Sequence, residues 1–311
     1  MSEDIKLKEW VSMYLETYKK PFIKASTYDA YVNYSTNILC DKYLNDITTI
    51  DVQNMINIMI GKGKAYSTIK HMLVVLRLAM RKAKALNYID NLCCFDNLEL
   101  PKKSKRKILP LTSAEQDRIL KYSECSIYGD LFVFLMYTGL RAGEAIALRW
   151  SDVDFFNRTL HIKNTIYRGK VQSAKTLDSV RDVPLCDIAM DIIIKHSKRK
   201  INGYVFCNRD DNVINYRSLL DCWKHYCYNI CNINRSCGLH VLRHTFATNA
   251  LSLGMNIKAL SVILGHATVQ ITMDIYTEVS FDDKQKAIQI FNRAESVATA
   301  FGGAERKLCQ S

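Results

Sequence analysis

Two histidines, an arginine and a tyrosine stand in the otherwise mostly apolar stretch from Gly238 to Thr277: His240, Arg243, His266 and Tyr276. His240 and Arg243 are three apart, so a helix here would project them as neighbours from one face. Val241, Leu242, Phe246, Ala247, Ala250, Leu251 and Leu253 supply the apolar stripe on its other side. Gly254 stops that helix. A second short helix, Ile257 to Leu264, ends at Gly265, with His266 immediately beyond the stop. A third, from about Thr268, carries Tyr276 near its end. Taken singly, these residues have duller explanations, since a helical histidine is commonly a satisfied polar residue and the chain has 17 tyrosines. Together they suggest a site for a phosphate and a phenolic nucleophile.

The elements that must position them divide into two sets. Residues 6–20 read as an amphipathic helix closed by Pro21. Ser26 or Thr27 caps a second helix to about Leu39, and Thr48 or Thr49 starts a third that ends at Gly61. A long fourth, Ser67 to Leu86, has an apolar stripe of Ile69, Met72, Leu73, Leu76, Ala79, Met80 and Ala83. Lys70, Arg77, Arg81, Lys82 and Lys84 oppose it. This is a four-helix bundle with a basic outer face. The run PKKSKRKILP, Pro101 to Pro110, puts Lys102, Lys103, Lys105, Arg106 and Lys107 between two prolines; it will not pack and reads as a linker.

After the linker, Thr112-Ser-Ala-Glu115 is a capping box that opens the second set. Helices are expected over about 113–123, 128–138 and 142–148, with Arg141 at the turn after Thr138-Gly139. Alternation then predicts strands at Val153–Phe155, Thr159–Lys163, Lys170–Ala174 and Val180–Pro184, with Lys175 at the loop end of a hairpin. Helices follow at about 187–197 and 216–231. Beyond Tyr276, Ser280-Phe-Asp-Asp283 caps one more helix, to about Ala298. The division is therefore 1–100 for the bundle, 101–110 for the linker with the boundary near 106, 111–295 for the second domain and 296–311 for a frayed tail.

Composition narrows the function classes. At 311 residues, 48% hydrophobic and 24% charged, the chain is an ordinary two-domain globular protein. Its apolar runs are too short to span a bilayer and its N-terminus lacks a signal core, so a cytoplasmic location without membrane association is expected. Eleven cysteines, odd in number and unpatterned, do not make a disulfide scaffold. Cys222, Cys227, Cys231 and Cys237 lie close together but lack the paired spacing of a zinc site, and no metal is expected. The net charge is +12: residues 1–110 hold 18 basic against 11 acidic residues, and the remainder 25 against 20. An excess spread over both halves suits a polyanionic partner touched from both.

The upstream residues Thr138-Gly-Leu-Arg141-Ala-Gly-Glu144 and Lys175-Thr176 complete an ordered set: Arg141, Lys175, His240, Arg243, His266 and Tyr276. This set resembles the tyrosine recombinase (phage integrase) family. That family has an Arg in TGLRxxE, a Lys on a β-hairpin, His-x-x-Arg, Leu-Gly-His, and a Tyr nine or ten residues later. The resemblance covers nearly the whole chain. It implies a mainly α fold with a small β-sheet, in which a core-binding, SAM-like four-helix bundle precedes a mixed α/β catalytic domain.

The implied chemistry accounts for the residue types. Two arginines can hold the non-bridging oxygens of a phosphodiester bidentately as charge builds on them. Tyr276 would be the nucleophile and His240 its proton acceptor, because a phenol with an ordinary pKa of about 10 needs one. Lys175 resembles the family's general acid, His266 would hydrogen-bond the phosphate, and Glu144 would support Arg141. A 3′-phosphotyrosyl link keeps the energy of the broken bond, so no cofactor is expected; the sequence has neither a P-loop nor a carboxylate cluster for magnesium.

The implied partners are double-stranded DNA at a specific site and three further copies of the chain, a homotetramer on two duplexes linked by the terminal helix. An accessory directionality factor and association with the nucleoid would follow. Lys70, Arg77, Arg81 and the five linker cations are the expected DNA contacts. The first helix begins by residue 6, so no arm-binding domain is expected ahead of it. The biological role implied is integration or excision of a mobile element, with an invertase or chromosome-dimer resolvase as alternatives. A non-catalytic DNA-binding regulator should have lost a catalytic residue, and none is lost. A topoisomerase would relax supercoiled DNA without sequence preference.

Overall fold

The computed structural model describes residues 5–103, 108–167, 169–173, 180–198 and 203–276. The chain forms two compact units, Met1–Lys107 and Ile108–Ser311. Among the described residues, no helix is long and apolar enough to cross a membrane.

In the first unit, α1 (Leu7–Tyr18) buries Leu7, Trp10, Val11, Tyr14 and Leu15, one face at helical spacing. The Trp10 indole N–H donates to the Ala79 carbonyl at 2.9 Å, and its ring packs 5.2 Å from Tyr88. Helix α2 (Ala25–Ser35) departs from expectation at both ends. Extended Lys24 precedes it without a side-chain cap, so Ser26 and Thr27 lie inside the first turn. It stops at Ser35, well before Leu39. There the Ser35 and Thr36 hydroxyls donate back to the Val32 and Asn33 carbonyls at 2.8 and 2.7 Å, bonds that compete with the helical ladder.

Thr48 opens α3 (Thr49–Gly61) with a reciprocal capping box to Asp51. Helix α4 (Tyr66–Ala85) buries the whole expected stripe together with Val75. Lys70, Arg77 and Arg81 are exposed on its other side, and the Arg77 guanidinium lies 5.0 Å over the Phe95 ring. Lys102 and Lys103 are exposed as well; Lys105, Arg106 and Lys107 lie outside the described residues.

In the second unit, the Thr112–Glu115 box caps α5 (Ser113–Lys121). Helix α6 (Gly129–Thr138) is buried continuously from Leu131 to Met136, as a helix at the centre of a core must be. The expected helix over 142–148 is a single turn, α7 (Ala142–Ala145). Beyond it the backbone leaves to pair elsewhere: the Val205 N–H donates to the Leu148 carbonyl at 2.9 Å, and Arg149 bridges to Tyr204.

Among the described residues, five strands follow: β1 (Val153–Asp154), β2 (Thr159–Ile162), β3 (Asn164–Tyr167), β4 (Lys170–Ser173) and β5 (Arg181–Pro184). They form two small antiparallel sheets where one was expected, a three-stranded β1-β2-β5 and a separate β3-β4 pair. Strand β3 was not anticipated.

Helices α8 (Asp187–Ser197) and α10 (His240–Ser252) pack on α6. The helix expected over 216–231 is α9 (Tyr216–His225) continued by a π-helical turn, Tyr226–Ile230. It brings Trp223 and Tyr226 to 5.0 and 5.4 Å from Phe132. Helices α11 (Ile257–Leu264) and α12 (Val269–Tyr276) both pack on α10. The helix expected from Ser280 to Ala298 lies outside the described residues.

Candidate active site

Helix α6 ends at Gly139 in the left-handed region, φ 64°. A Cβ there would lie 2.4 Å from Phe246 Cδ1 and 2.8 Å from Leu264 Cδ2, so both the backbone and the space require glycine. Two residues on, Arg141 takes the N-cap position of α7. Its backbone N–H donates to Glu144 Oε2 at 2.9 Å and its Nη1 to Oε1 at 2.8 Å. Glu144 is buried, and a second guanidinium meets it: Arg181 Nη2 donates to Oε2 at 2.9 Å and Nη1 to Oε1 at 3.2 Å. Burial works to raise the Glu144 pKa, but Arg181 and then Arg141 outweigh it and hold the carboxyl below its ordinary value.

Three arginines converge on the last carbonyls of α11. Arg181 Nε donates to Ile263 O at 2.6 Å, Arg243 Nη2 to Leu264 O at 2.6 Å, and Arg141 Nη2 to Gly265 O at 3.0 Å. Arg243 also donates from Nη1 to Gly139 O at 3.0 Å, joining the end of α6 to the end of α11. Helix C-termini leave such carbonyls without intrahelical donors and carry partial negative charge, which guanidinium groups match in both respects. Gly265, at φ 64°, turns the chain there, and a Cβ on it would approach Arg181 Nη1 to 3.0 Å. His266 emerges from that turn.

Among the described residues, Arg141, Arg181 and Arg243 gather about one carboxylate, Glu144, and one helix end. The guanidinium charges act on the imidazoles. His266 is pushed down to about 4, first by burial and then by Arg243 and Arg141. Its Nδ1 lies 2.8 Å from the Oγ1 of buried Thr272 on α12. His240 opens α10. Although the residue is exposed, the protein around its ring lowers its pKa, with Arg243 and Arg141 adding to the effect. Both rings are therefore neutral at pH 7. Burial and the neighbouring Arg141 lower the Arg243 pKa too, yet a guanidinium remains protonated at neutral pH.

Arg141, His240, Arg243 and His266 thus come together from α7, α10 and the α11 turn. One expectation changes: Arg243 does not face away from the apolar stripe of α10 but is sunk within it, 3% exposed, because carbonyls of two other elements receive its donors. Leu253, assigned to the stripe, is 88% exposed beyond the helix end. Arg141 is the accessible arginine, with 40% of its side chain exposed. Tyr276 is the last residue of α12; its side chain, like all of Lys175, lies outside what the structure describes. Lys175 falls between β4 and β5 in sequence.

Arg181 and Thr272 escaped the sequence reading. Arg181 carried a signal: it shares the inward face of β5 with Val183, and a charge on an inward strand position demands a buried partner. Among the described residues, no group of three or more His, Cys, Asp or Glu side chains could hold a metal ion.

The sequence profile of the phage integrase family matches residues 110–283, and that of the phage integrase N-terminal SAM-like domain matches residues 6–60. The chain is 27% identical over 322 aligned residues to a tyrosine recombinase XerC-like protein of Caldanaerobacter subterraneus subsp. tengcongensis, covering 91% of this chain and 81% of that one. It is 30% identical over 210 residues to the transposase from transposon Tn916 of Enterococcus faecalis, covering 59% of this chain and 51% of the transposase. Among solved structures it resembles the Tn1549 transposon integrase in complex with a circular intermediate DNA. The TM-score is 0.77 at 21% identity, with 92% of this chain and 99% of that one covered.

Proposed function

The chain belongs to the phage integrase family, tyrosine recombinases that cleave and rejoin DNA through a tyrosine intermediate, and we propose that it recombines specific sites on double-stranded DNA with Tyr276 as nucleophile. The observation that carries this reading is the cluster of three guanidinium groups at the end of α11, flanked by two neutral imidazoles. Guanidinium groups gathered in this way suit the negative charge that builds on a phosphodiester under attack. The Tyr276 oxygen attacks phosphorus, a tyrosyl O–P bond forms, and the P–O5′ bond breaks. His240, neutral at pH 7, accepts the phenolic proton. Lys175 gives a proton to the departing 5′-oxygen. The 5′-hydroxyl of the exchanged strand reverses these steps to reseal the DNA.

Arg141 meets the non-bridging oxygens from the accessible side, and Arg243 supplies charge from beneath. Direct contact from Arg243 requires one of its N–H groups to turn outward. A hydroxyl bond from Thr272 to His266 Nδ1 would leave an Nε2–H to donate to the phosphate. The basic linker and the exposed cations of α4 hold the duplex. Four copies act on two duplexes, with an accessory factor setting direction, in the cytoplasm where the nucleoid lies. Integration or excision of a mobile element is the role that the likeness to a transposon-borne transposase and a transposon integrase supports.

Tyr276→Phe tests the assignment. The full chain is incubated with duplexes tiling the DNA that flanks its gene, and covalent complexes are separated under denaturing conditions. Wild type should form a denaturation-resistant adduct with one duplex. The variant should bind that duplex with nearly unchanged affinity and form none, since only the hydroxyl is removed. An adduct with the variant would remove Tyr276 from the role.

A further inference from the structure

Away from the arginine cluster, two of the eleven cysteines meet. Cys227 lies in the π-helical turn after α9, and Cys237 just ahead of α10; their sulfurs are 4.0 Å apart. Both backbones are anchored. The Cys227 carbonyl accepts the Ile233 N–H at 2.8 Å, and the Cys237 carbonyl accepts the Trp223 indole N–H at 3.1 Å. Cys231, also buried here, directs its thiol to the Arg118 carbonyl at 3.8 Å. Cys227 is buried and Cys237 half-buried. Both line an open cavity of about 260 Å³ that Lys224 and Arg235 also line, so a small polar oxidant can reach them.

Arg235 is held beside the pair by two bonds to Glu115, 3.0 and 2.9 Å, and by the Leu109 and Pro110 carbonyls. Contact with Cys227, then the Arg235 charge, brings the Cys237 thiol down to about 7, whereas its contact with Cys237 and burial push Cys227 up. Cys237, the more exposed of the two and the one whose thiolate the Arg235 charge favours, is the thiolate former and Cys227 the resolving partner.

We propose that Cys227 and Cys237 are a redox site that closes to a disulfide under hydrogen peroxide and thereby shifts the start of α10. The Cys237 thiolate attacks one peroxide oxygen. An S–O bond forms, the O–O bond breaks, and the departing hydroxide takes a proton to become water. Cys237 is now a sulfenic acid. The Cys227 sulfur attacks it, the S–S bond forms, the S–O bond breaks, and hydroxide leaves with the Cys227 proton as a second water. Two thiols and one peroxide give one disulfide and two waters.

The sulfurs must close from 4.0 Å to about 2.0 Å. His240 stands three residues after Cys237, so the movement is passed to the first turn of α10. On the recombinase reading above, displacing His240 by about 1 Å costs on the order of a hundredfold in cleavage.

The test uses full-length wild type, Cys237→Ser and Cys227→Ala, each treated with a modest excess of hydrogen peroxide, with dimedone present in a parallel sample. Non-reducing peptide mapping of wild type should recover the Cys227 and Cys237 peptides joined, lighter than the free pair by two hydrogens and separated by dithiothreitol. Cys227→Ala should instead trap dimedone on Cys237, and Cys237→Ser should do neither. Amide exchange over residues 238–244 should change on oxidation in wild type and not in Cys237→Ser. Oxidation at exposed Cys125 or Cys186 with no 227–237 link would overturn the proposal. A link without change in exchange would overturn its action on α10. Both readouts are independent of DNA, so a failure of the recombinase reading, seen as no adduct from reduced protein, is separate from either.

Discussion

Arg181 shows how much one unanticipated side chain holds. Its fork closes on Glu144 while its Nε reaches Ile263 O, tying β5 to α7 and to the end of α11. Breaking a buried pair by removing one partner leaves the other charged and unmatched, at a cost of about 3–5 kcal/mol. Arg181→Met should lower stability by that amount in urea unfolding. Adding Glu144→Met should restore much of it, because a buried pair replaced by apolar groups of similar size is often neutral. DNA cleavage should not return with stability, since Arg141 then loses the carboxylate that orients it. Return of both would make Glu144 purely structural.

His266 gives a pH dependence with a definite sign. Its ring titrates near 4 in the folded protein and at about 6.5 in an unfolded chain. Between these values the unfolded state binds the proton and the folded state does not, so stability falls as pH drops through that window. Carboxylates such as Asp130 and Glu144, held low by cationic partners, add a loss of the same direction at lower pH. The measurement is therefore a difference: wild type minus His266→Gln, by urea midpoint from pH 7 to pH 4. The difference should narrow as pH falls.

At the scale of elements, the site depends on how helices stop. Gly139 and Gly254 both follow helices with positive φ, 64° and 86°. Only Gly139 is crowded; nothing lies within 4 Å of a Cβ built on Gly254. Gly254→Ala should cost about 1–2 kcal/mol for its backbone alone. Gly139→Ala adds overpacking worth about 1–3 kcal/mol against Phe246 and Leu264, and disturbs the carbonyl that Arg243 holds. Thermal unfolding of the two variants side by side separates the two costs, and equal losses would mean that Phe246 and Leu264 yield freely. Helix α12 is tied in through Thr272 and His266, so the element that ends at Tyr276 is fixed from the same turn that places the imidazole.

At the scale of the whole molecule, the basic excess spread over both units becomes a salt dependence. Lys102 and Lys103 are exposed and unburdened by packing. Replacing Lys102, Lys103, Lys105, Arg106 and Lys107 by Gln should reduce the slope of log affinity against log salt by up to about 4–5, at roughly 0.9 for each phosphate no longer neutralised. Fluorescence anisotropy on the target duplex from low to moderate salt measures it. An unchanged slope would make the run a solvated tether.

The sequence by itself determined the elements whose cause is local. The Thr112–Glu115 box, the α4 stripe and the glycine stops after α6 and α11 follow from a few neighbouring residues, and each is where spacing puts it. The residue types of the site were legible for the same reason: Arg141, His240, Arg243 and His266 sit in short motifs beside those stops. What only the tertiary structure decided concerns partners far apart in the chain. Gly139 and Leu264 carbonyls, brought together by packing, sink Arg243 into the face of α10 that was assigned to apolar residues alone. The pairing of Arg181 with Glu144 crosses 37 residues, and Arg141 reaches Gly265 across 124. Such contacts leave no periodicity, because hydrogen bonds between backbone carbonyls and distant side chains are set by where elements end in space.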